Sequence, residues 1–135
     1  GGLAGNAGLF STARDVARVY QMLLNGGEID GQRYLSKETC QLFTTETSKI
    51  SRRGLGFDKP DADDPKKGNC APAAPAEVYG HTGFTGTCAW VDPMNELVYV
   101  FLSNRIYPDV TNRKLNQLHI RERIQGAIYD AMKKK

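Results

Sequence analysis

The strongest hydrophobic pattern in the chain lies between residues 12 and 27 and predicts an amphipathic helix. Apolar residues recur there at the spacing of one buried helix face, at Val16, Val19, Tyr20, Leu23 and Leu24. Thr12 has the residue type of an N-cap, and Asp15 follows three positions later, as in a capping box. The Asn-Gly-Gly sequence at residues 25–27 ends the helix because these residues tolerate positive φ.

Two further helices are predicted from weaker patterns. Ser36 is a second N-cap candidate and opens a short helix to about Glu46, with Leu42 and Phe43 on its apolar side. A final helix carries one apolar face that we expect to be buried, formed by Ile120, Ile124, Ala127, Ile128 and Ala131. His119, in the polar start of that helix, is expected to face solvent.

Between these helices the pattern changes to short runs that are typical of strands. Residues 53–57 are compatible with a strand in which glycines permit close approach of another backbone. Residues 78–81 and 87–91 are predicted as two strands on either side of a glycine-rich turn. Residues 97–102 are apolar throughout, so we expect that strand inside a sheet covered on both faces. Residues 59–77 hold four of the six prolines and are expected to form an irregular surface segment.

The order of these elements predicts an α+β fold, with an antiparallel sheet of three to four strands flanked by helices. The length of 135 residues, with 40% hydrophobic and 24% charged residues, suits one globular domain over residues 1–135. The net charge of +3 equals the contribution of the lysines at 133–135, so no nucleic-acid partner is expected. No apolar run is long enough to predict a membrane span in this segment.

The start of the chain and its cysteines add two expectations. The sequence Gly-Gly-Leu-Ala-Gly-Asn at residues 1–6 has no Met and no signal-peptide pattern, so we expect a piece of a longer polypeptide. Cys40, Cys70 and Cys88 share no metal-ligand spacing, and no metal or cofactor is predicted. One disulfide with a free thiol and three unpaired, buried thiols both remain open.

The segment from His81 to Phe84 carries the residues best suited to chemistry. Gly83 lets a ligand approach the strand edge, and the backbone N–H of Phe84 could stabilise a developing oxyanion. Thr82 adds a hydroxyl, and His81 adds a side chain that changes charge near neutral pH. Taken alone, the segment fits a plain tight hairpin better, because short motifs often arise by chance.

The flanking sequence changes that interpretation. Penicillin-recognising serine hydrolases use the motifs Ser-x-x-Lys, Tyr-x-Asn and, on a strand beside the active site, Lys-Thr-Gly. The His-Thr-Gly at residues 81–83 resembles a variant of the third motif, and four further stretches resemble the same family in the same order: residues 2–13, 22–27, 54–57 and 102–108. The chain is thus similar to the C-terminal half of a class C-like β-lactamase or penicillin-binding protein, which implies a β-lactamase/transpeptidase-like fold.

The first two motifs of that family are missing from this chain. None of its five serines has a lysine three residues later, and Tyr34-Leu35-Ser36 matches Tyr-x-Ser only formally, before a predicted helix. We therefore expect the nucleophile, its lysine and the tyrosine in a missing N-terminal half, and we expect this fragment to be inactive alone. Residues 48–60 further resemble a module that follows a family-3 glycoside hydrolase in large exported bacterial proteins.

The resemblance implies roles for the remaining candidates. His81, Thr82, Gly83 and Phe84 would form one side of the catalytic site, with the Phe84 N–H as oxyanion donor. Asn104 and Arg105 would contact substrate at the rim, although a turn residue and a surface charge explain them equally well. The substrate would be an acyl compound, either an ester, a β-lactam or a D-amino-acid peptide, and a histidine in place of lysine favours the ester and the peptide. The family also implies an exported, periplasmic protein.

Three function classes remain open from the sequence. The first is a serine hydrolase that works through an acyl-enzyme and is completed by residues outside this chain. The second is a non-catalytic, β-lactamase-like binding module attached to a glycoside hydrolase. The third is an unrelated small α+β domain.

Overall fold

The computed structural model describes residues 8–45, 48–61, 63–64 and 68–133. Its helices and strands, in chain order, are α1 (Ala13–Leu24), β1 (Glu28–Ile29), β2 (Gln32–Arg33), α2 (Lys37–Thr44), β3 (Tyr79–Thr82), β4 (Cys88–Asp92), β5 (Leu97–Phe101), α3 (Lys114–Gln117) and α4 (Ile120–Met132). None of the helices in these ranges is long and apolar enough to cross a membrane. The arrangement of helices around small antiparallel sheets confirms the predicted α+β class.

The main sheet is antiparallel, with the order β3-β4-β5. Every residue of β4 is buried, because β4 is the central strand and both of its faces are covered. Side chains alternate between the two faces of a strand. The face with Trp90 and Tyr99 receives α4, whose Arg121 carbonyl accepts a 3.1 Å hydrogen bond from the Tyr99 hydroxyl. The opposite face receives α1.

The predicted start and end of α1 are both confirmed. The side chain of Thr12 accepts a 3.2 Å hydrogen bond from the N–H of Asp15. Gly26 and Gly27 have φ values of 66° and 95°, and the Gly27 N–H donates to the carbonyl of Met22 at 2.8 Å. This termination is the Schellman type of C-cap, which an Asn-Gly-Gly sequence favours.

The second predicted helix is also present, but it is shorter than expected. Ser36 is its N-cap and accepts a 3.1 Å hydrogen bond from the N–H of Thr39. The helix ends at Thr44, and its C-cap, Thr45, has an extended backbone. The predicted last residue, Glu46, lies outside the described residues.

The prediction for the buried face of α4 is wrong. Its buried residues are Arg121, Glu122, Gln125 and Tyr129, whereas Ile124 is 38% exposed. Two of these polar side chains satisfy buried groups: Gln125 accepts a 2.8 Å hydrogen bond from the N–H of Ala71, and the Tyr129 hydroxyl donates to Asp92. Only Ile128 of the predicted face packs on the core cluster. His119 is exposed, as expected.

A carboxylate explains why Tyr129 lies on the buried side of α4. The Tyr129 hydroxyl donates a 2.9 Å hydrogen bond to Asp92 Oδ2, and Asp92 is only 2% exposed. Asp92 also accepts hydrogen bonds from the N–H groups of Met94 and Asn95, at 2.9 and 3.2 Å. Asp92 therefore organises the turn between β4 and β5 and fixes α4 against it.

Three other expectations need correction. Residues 53–57 form a loop, and the only pairing of that region with the main sheet in the described chain is an isolated bridge between Asp58 and Gly80. β5 has both faces covered but is an edge strand within the described residues. The described part of residues 59–77 is irregular, yet it is not all at the surface: Cys70 is 2% exposed and Lys59 6%.

The core cluster consists of Cys70, Val78, Cys88, Trp90 and Tyr99, with Phe101 packed against it. Cys40, Cys70 and Cys88 are all free and buried, which decides between the two cysteine arrangements in favour of three thiols. Burial raises the pKa of Cys70 to about 12 and that of Cys88 to about 11, so both are protonated at neutral pH.

Candidate functional site

The predicted motif lies at the end of β3 and in the turn that connects it to β4. The Gly83 N–H donates to the Thr87 carbonyl at 2.8 Å, and the Gly86 N–H donates to the Gly83 carbonyl at 2.9 Å. Phe84 and Thr85 are thus the central residues of a β-turn, and neither has positive φ, whereas Gly86 has a φ of 96°. Two negative φ values in the centre are typical of a type I turn.

One edge of β3 is open beside the motif. Backbone groups of alternate residues in a strand point to the same edge. Gly80 uses its outer edge to pair with Asp58, through N···O distances of 2.7 and 3.0 Å. The Gly83 N–H donates to the Thr87 carbonyl just before β4, and the next N–H is that of Phe84. Within the described residues this N–H has no hydrogen-bond partner, so it is free to donate to a ligand.

The two glycines of β3 and the turn have packing reasons of their own. A Cβ atom on Gly80 would lie 2.1 Å from the Ala89 carbonyl oxygen and 2.7 Å from Cε3 of Trp90. A Cβ on Gly83 would lie 2.3 Å from the Thr87 hydroxyl. The hairpin therefore requires the glycine at position 80, independently of any ligand, whereas a Cβ at Gly83 would need only a rotation of the Thr87 side chain.

His81 is exposed and has both ring nitrogens in contact with neighbours. Nδ1 lies 2.6 Å from the carbonyl oxygen of Thr82, and Nε2 lies 3.2 Å from Nη1 of Arg53. The sequence analysis missed Arg53. Its signal was the pair of arginines at 52 and 53 just before a glycine-rich loop, and only the folded chain shows that one of them reaches the motif.

A buried ion pair fixes the loop that carries Arg53. Asp58 is 1% exposed and lies 2.8 Å from Nε of Arg52 through Oδ1, while Oδ2 accepts a 2.9 Å hydrogen bond from Asn69. Burial acts to raise the pKa of Asp58, but the hydrogen bonds from Asn69 and Arg52 outweigh it and hold that pKa below its usual range. Asp58 stays ionised, so this loop remains attached to β3 at neutral pH.

Of the two predicted rim residues, the structure brings only one to the motif. Arg105 has its guanidinium carbon 4.8 Å from the centre of the Phe84 ring, and its N–H donates to the Thr85 carbonyl at 2.9 Å. The Phe84 ring is 70% exposed, so this cation–π pair forms an open surface beside the free N–H. Asn104 is exposed, and its carbonyl accepts a 3.3 Å hydrogen bond from the N–H of Tyr107, away from His81.

Comparison with known proteins identifies the family of the chain. Residues 1–122 match the beta-lactamase family model. The chain belongs to the beta-lactamase family. It is 36% identical over 116 residues to a protein of Escherichia coli O157:H7 named "Putative D-alanyl-D-alanine carboxypeptidase", a match that covers 86% of this chain and 26% of that protein. A protein of the same name from Salmonella typhi is 35% identical over 116 residues, with 86% and 27% covered.

The chain spans about a quarter of the length of the curated relatives that it matches. Its own serines do not form the nucleophile–base pair that a beta-lactamase-family enzyme needs. Ser36 caps α2, Ser48 and Ser51 accept hydrogen bonds from nearby backbone N–H groups, and Ser103 donates to the Thr85 carbonyl at 3.2 Å. None of these contacts in the described chain joins a serine to a lysine or a histidine. The described residues also hold no cluster of potential metal ligands.

Proposed function

We propose that this chain forms one wall of the active site of a serine acyl-transfer hydrolase, whose nucleophilic serine, lysine and tyrosine lie outside it. The observation that carries this proposal is the free N–H of Phe84 at the open edge of β3, directly after the His-Thr-Gly sequence. A donor held in this way, with its turn already formed, can stabilise negative charge without reorganising during the reaction.

The chemistry would proceed in two steps. The serine oxygen from the other half of the site attacks the acyl carbon as its proton passes to the lysine or tyrosine beside it, which later returns that proton to the leaving group. The carbonyl oxygen becomes an oxyanion that accepts a hydrogen bond from Phe84. The bond to the leaving amine or alcohol then breaks, the leaving group takes up a proton, and an acyl-enzyme remains. Water hydrolyses this ester in the second step. Thr82 and His81 flank the reacting carbonyl on the β3 edge.

We propose an acyl compound of the ester or D-amino-acid peptide type as the substrate. The names of the relatives support a peptide ending in D-alanine. His81 takes the place of the family's usual lysine, which argues against efficient hydrolysis of β-lactams. Export to the periplasm, and a family-3 glycoside hydrolase domain in the same polypeptide, remain proposals that rest on resemblance alone.

We also propose that the missing half of the domain covers apolar surface of this chain. Leu9, Phe10 and Val19 are exposed to 75, 95 and 55%, although they lie before and within an amphipathic helix. The outer edge of β5 is unpaired within the described residues. Exposed apolar groups of this size usually mark a surface that another element covers. The partner would therefore pack on α1 and extend the sheet.

Labelling experiments test the proposal directly. The full-length protein that contains this sequence is treated with a fluorescent penicillin and with a fluorophosphonate, next to the 135-residue chain as a matched sample. We expect the full-length protein to be labelled at a serine outside this chain, and the chain alone to remain unlabelled. Labelling of any serine in the chain would contradict the proposal. Saturable binding of a D-alanyl peptide to the full-length protein without any labelling would instead support the non-catalytic binding module.

A further inference from the structure

We infer that Arg53 supplies the permanent positive charge of this site, and that His81 is a neutral positioning residue that holds the Arg53 guanidinium beside the open edge of β3. Arg53 would thereby determine specificity for substrates with an anionic group next to the acyl carbon. This inference deepens the proposed function and rests on it for its kinetic test.

The two contacts of the imidazole fix its protonation. A carbonyl oxygen can only accept, so the contact of 2.6 Å requires that Nδ1 carries a proton and donates to Thr82. A guanidinium can only donate, so the contact of 3.2 Å requires that Nε2 of His81 has no proton and accepts from Arg53. Both contacts together are compatible only with the neutral, Nδ1-protonated tautomer.

The charge of Arg53 is available to a ligand. A guanidinium has five N–H donors, and within the described residues the side chain of Arg53 uses only Nη1, in its contact with His81. Asp58 on the same loop forms its ion pair with Arg52, and Arg53 acts on Asp58 only as a further nearby charge. Arg53 is exposed, so its remaining donors reach solvent in front of the motif. Carboxylates bind such a planar fork through two parallel hydrogen bonds.

In this chain the positive charge beside the third motif comes from Arg53 on the loop before β3 and not from a lysine on β3. A lysine in the motif would supply charge from β3 itself, whereas here the charge comes from the loop before β3 and is oriented by the motif histidine. The other charged group near the turn is Arg105, which lies over the Phe84 ring on the far side of the motif sequence. Arg105 is therefore the competing candidate for ionic recognition, and an experiment has to separate the two.

The first test needs no catalytic activity. Nitrogen NMR of the 135-residue chain, with labelled histidine, reports which ring nitrogen of His81 carries the proton. We expect a protonated Nδ1 and an unprotonated Nε2 near pH 7.5, and we expect a smaller preference for this tautomer in Arg53→Met, where only the contact with Thr82 remains. Arg14→Met, at an exposed position of α1, is the matched control and should retain it. A protonated Nε2 in the unchanged chain would overturn the inference, whether or not the proposed function holds.

The second test compares two substrates in the full-length protein. They are an acyl peptide with a free D-alanine carboxylate and the same peptide as its carboxamide. We expect Arg53→Gln to lower the ratio of their kcat/KM values by about 10- to 100-fold, since it removes a charge-assisted hydrogen bond. Arg53→Lys should restore part of the ratio, and Arg123→Gln, at an exposed position of α4, should leave it unchanged.

The pH profile of that ratio distinguishes Arg53 from His81. An arginine does not titrate in the accessible range, so the preference for the carboxylate should stay constant from about pH 6 to 9. If His81 supplied the charge, the preference would depend on pH, because an imidazole can lose its proton whereas a guanidinium does not. A preference that follows histidine titration, or that falls with Arg105→Gln and not with Arg53→Gln, would overturn the assignment. Absence of all turnover, with the expected NMR result, would reject the proposed function and leave the tautomer assignment standing.

Discussion

Replacing Phe84 by proline removes its backbone N–H together with the exposed ring, and comparison with Phe84→Ala, which removes the ring alone, isolates the oxyanion donor. Phe84 is the second residue of a turn closed by the 2.9 Å hydrogen bond from Gly86 to Gly83, and its φ is negative. This position of a type I turn favours proline, because the proline ring fixes φ near −65°. The N–H that is lost has no partner within the described chain, so no internal hydrogen bond is broken.

The expected effect is large and confined to catalysis. Loss of a single oxyanion donor lowers kcat by about 10²–10³-fold, or about 3–4 kcal/mol of transition-state stabilisation. Phe84→Ala is the matched control, because it removes the same exposed ring and keeps the N–H. The full-length protein and both variants are compared by kcat on an acyl substrate, and by urea unfolding to confirm that each variant is folded.

The kcat values of the two variants show whether the Phe84 N–H stabilises the oxyanion. If the N–H of Phe84 stabilises the oxyanion, Phe84→Pro loses at least about 100-fold in kcat relative to Phe84→Ala. If the two variants have equal kcat values and equal stability, the N–H does not face the reacting carbonyl. The motif would then be only the tight hairpin that its local sequence suggests.

Three further predictions concern the stability of the chain and the rim of the site. Gly80→Ala should lower the free energy of unfolding in urea by about 1–3 kcal/mol, because its Cβ would overlap β4. Gly126→Ala is the control: its Cβ meets nothing within 4 Å, so this change should stabilise α4 by about 0.5–1 kcal/mol. Burial raises the pKa values of Cys70 and Cys88 above those of the unfolded chain. The free energy of unfolding should therefore be constant with respect to these thiols below about pH 8.5 and fall as pH rises toward 11, by up to about 1.4 kcal/mol per thiol and pH unit. Cys88→Ala should show a shallower fall. Arg105→Ala should raise KM about two- to fivefold with kcat nearly unchanged, because a rim cation binds substrate and transition state alike.

The sequence correctly predicted the structural features that depend on residues close together in the chain. The caps of α1 at Thr12 and Gly27 depend on residues within a few positions, and so does the turn after Thr82. The same kind of signal was present for β1 and β2, which are joined by Asp30 and Gly31, both with positive φ. An Asp-Gly pair of this type predicts a two-residue hairpin, and it could have been recognised.

Burial and side-chain contacts over long sequence distances could not be predicted in the same way. The inward face of α4 is set by Asp92 and by the N–H of Ala71, which are far from Tyr129 and Gln125 in the chain. A buried donor or acceptor left unpaired costs about 1–3 kcal/mol, which is comparable to the gain from burying an aliphatic side chain. A hydrophobic pattern contains no information about such distant hydrogen-bond partners, so it cannot predict when a polar side chain is buried in place of an apolar one. Arg53 was missed for the same reason, since only folding brings it to the motif.

The contacts around β3 explain why separate stretches of the chain carry the family resemblance. The Thr85 carbonyl accepts from both the N–H of Arg105 and the hydroxyl of Ser103, so the stretch 102–108 holds the turn that presents the Phe84 N–H. A Cβ on Gly86 would lie 2.5 Å from the Ser103 hydroxyl, which explains a glycine there.

The stretch before β3 has a similar role on the other side. A Cβ on Gly54 would lie 2.5 Å from the carbonyl oxygen of Thr45, so this glycine lets the loop pass the end of α2. The loop then reaches β3 at the bridge between Asp58 and Gly80 and delivers Arg53 to His81. The separate stretches thus form one structural unit, because the stretch after β5 holds the turn that carries Phe84 and the stretch before β3 brings Arg53 to His81. If the proposed function holds, these two groups would serve acyl transfer as a donor for the oxyanion and a cation for the substrate.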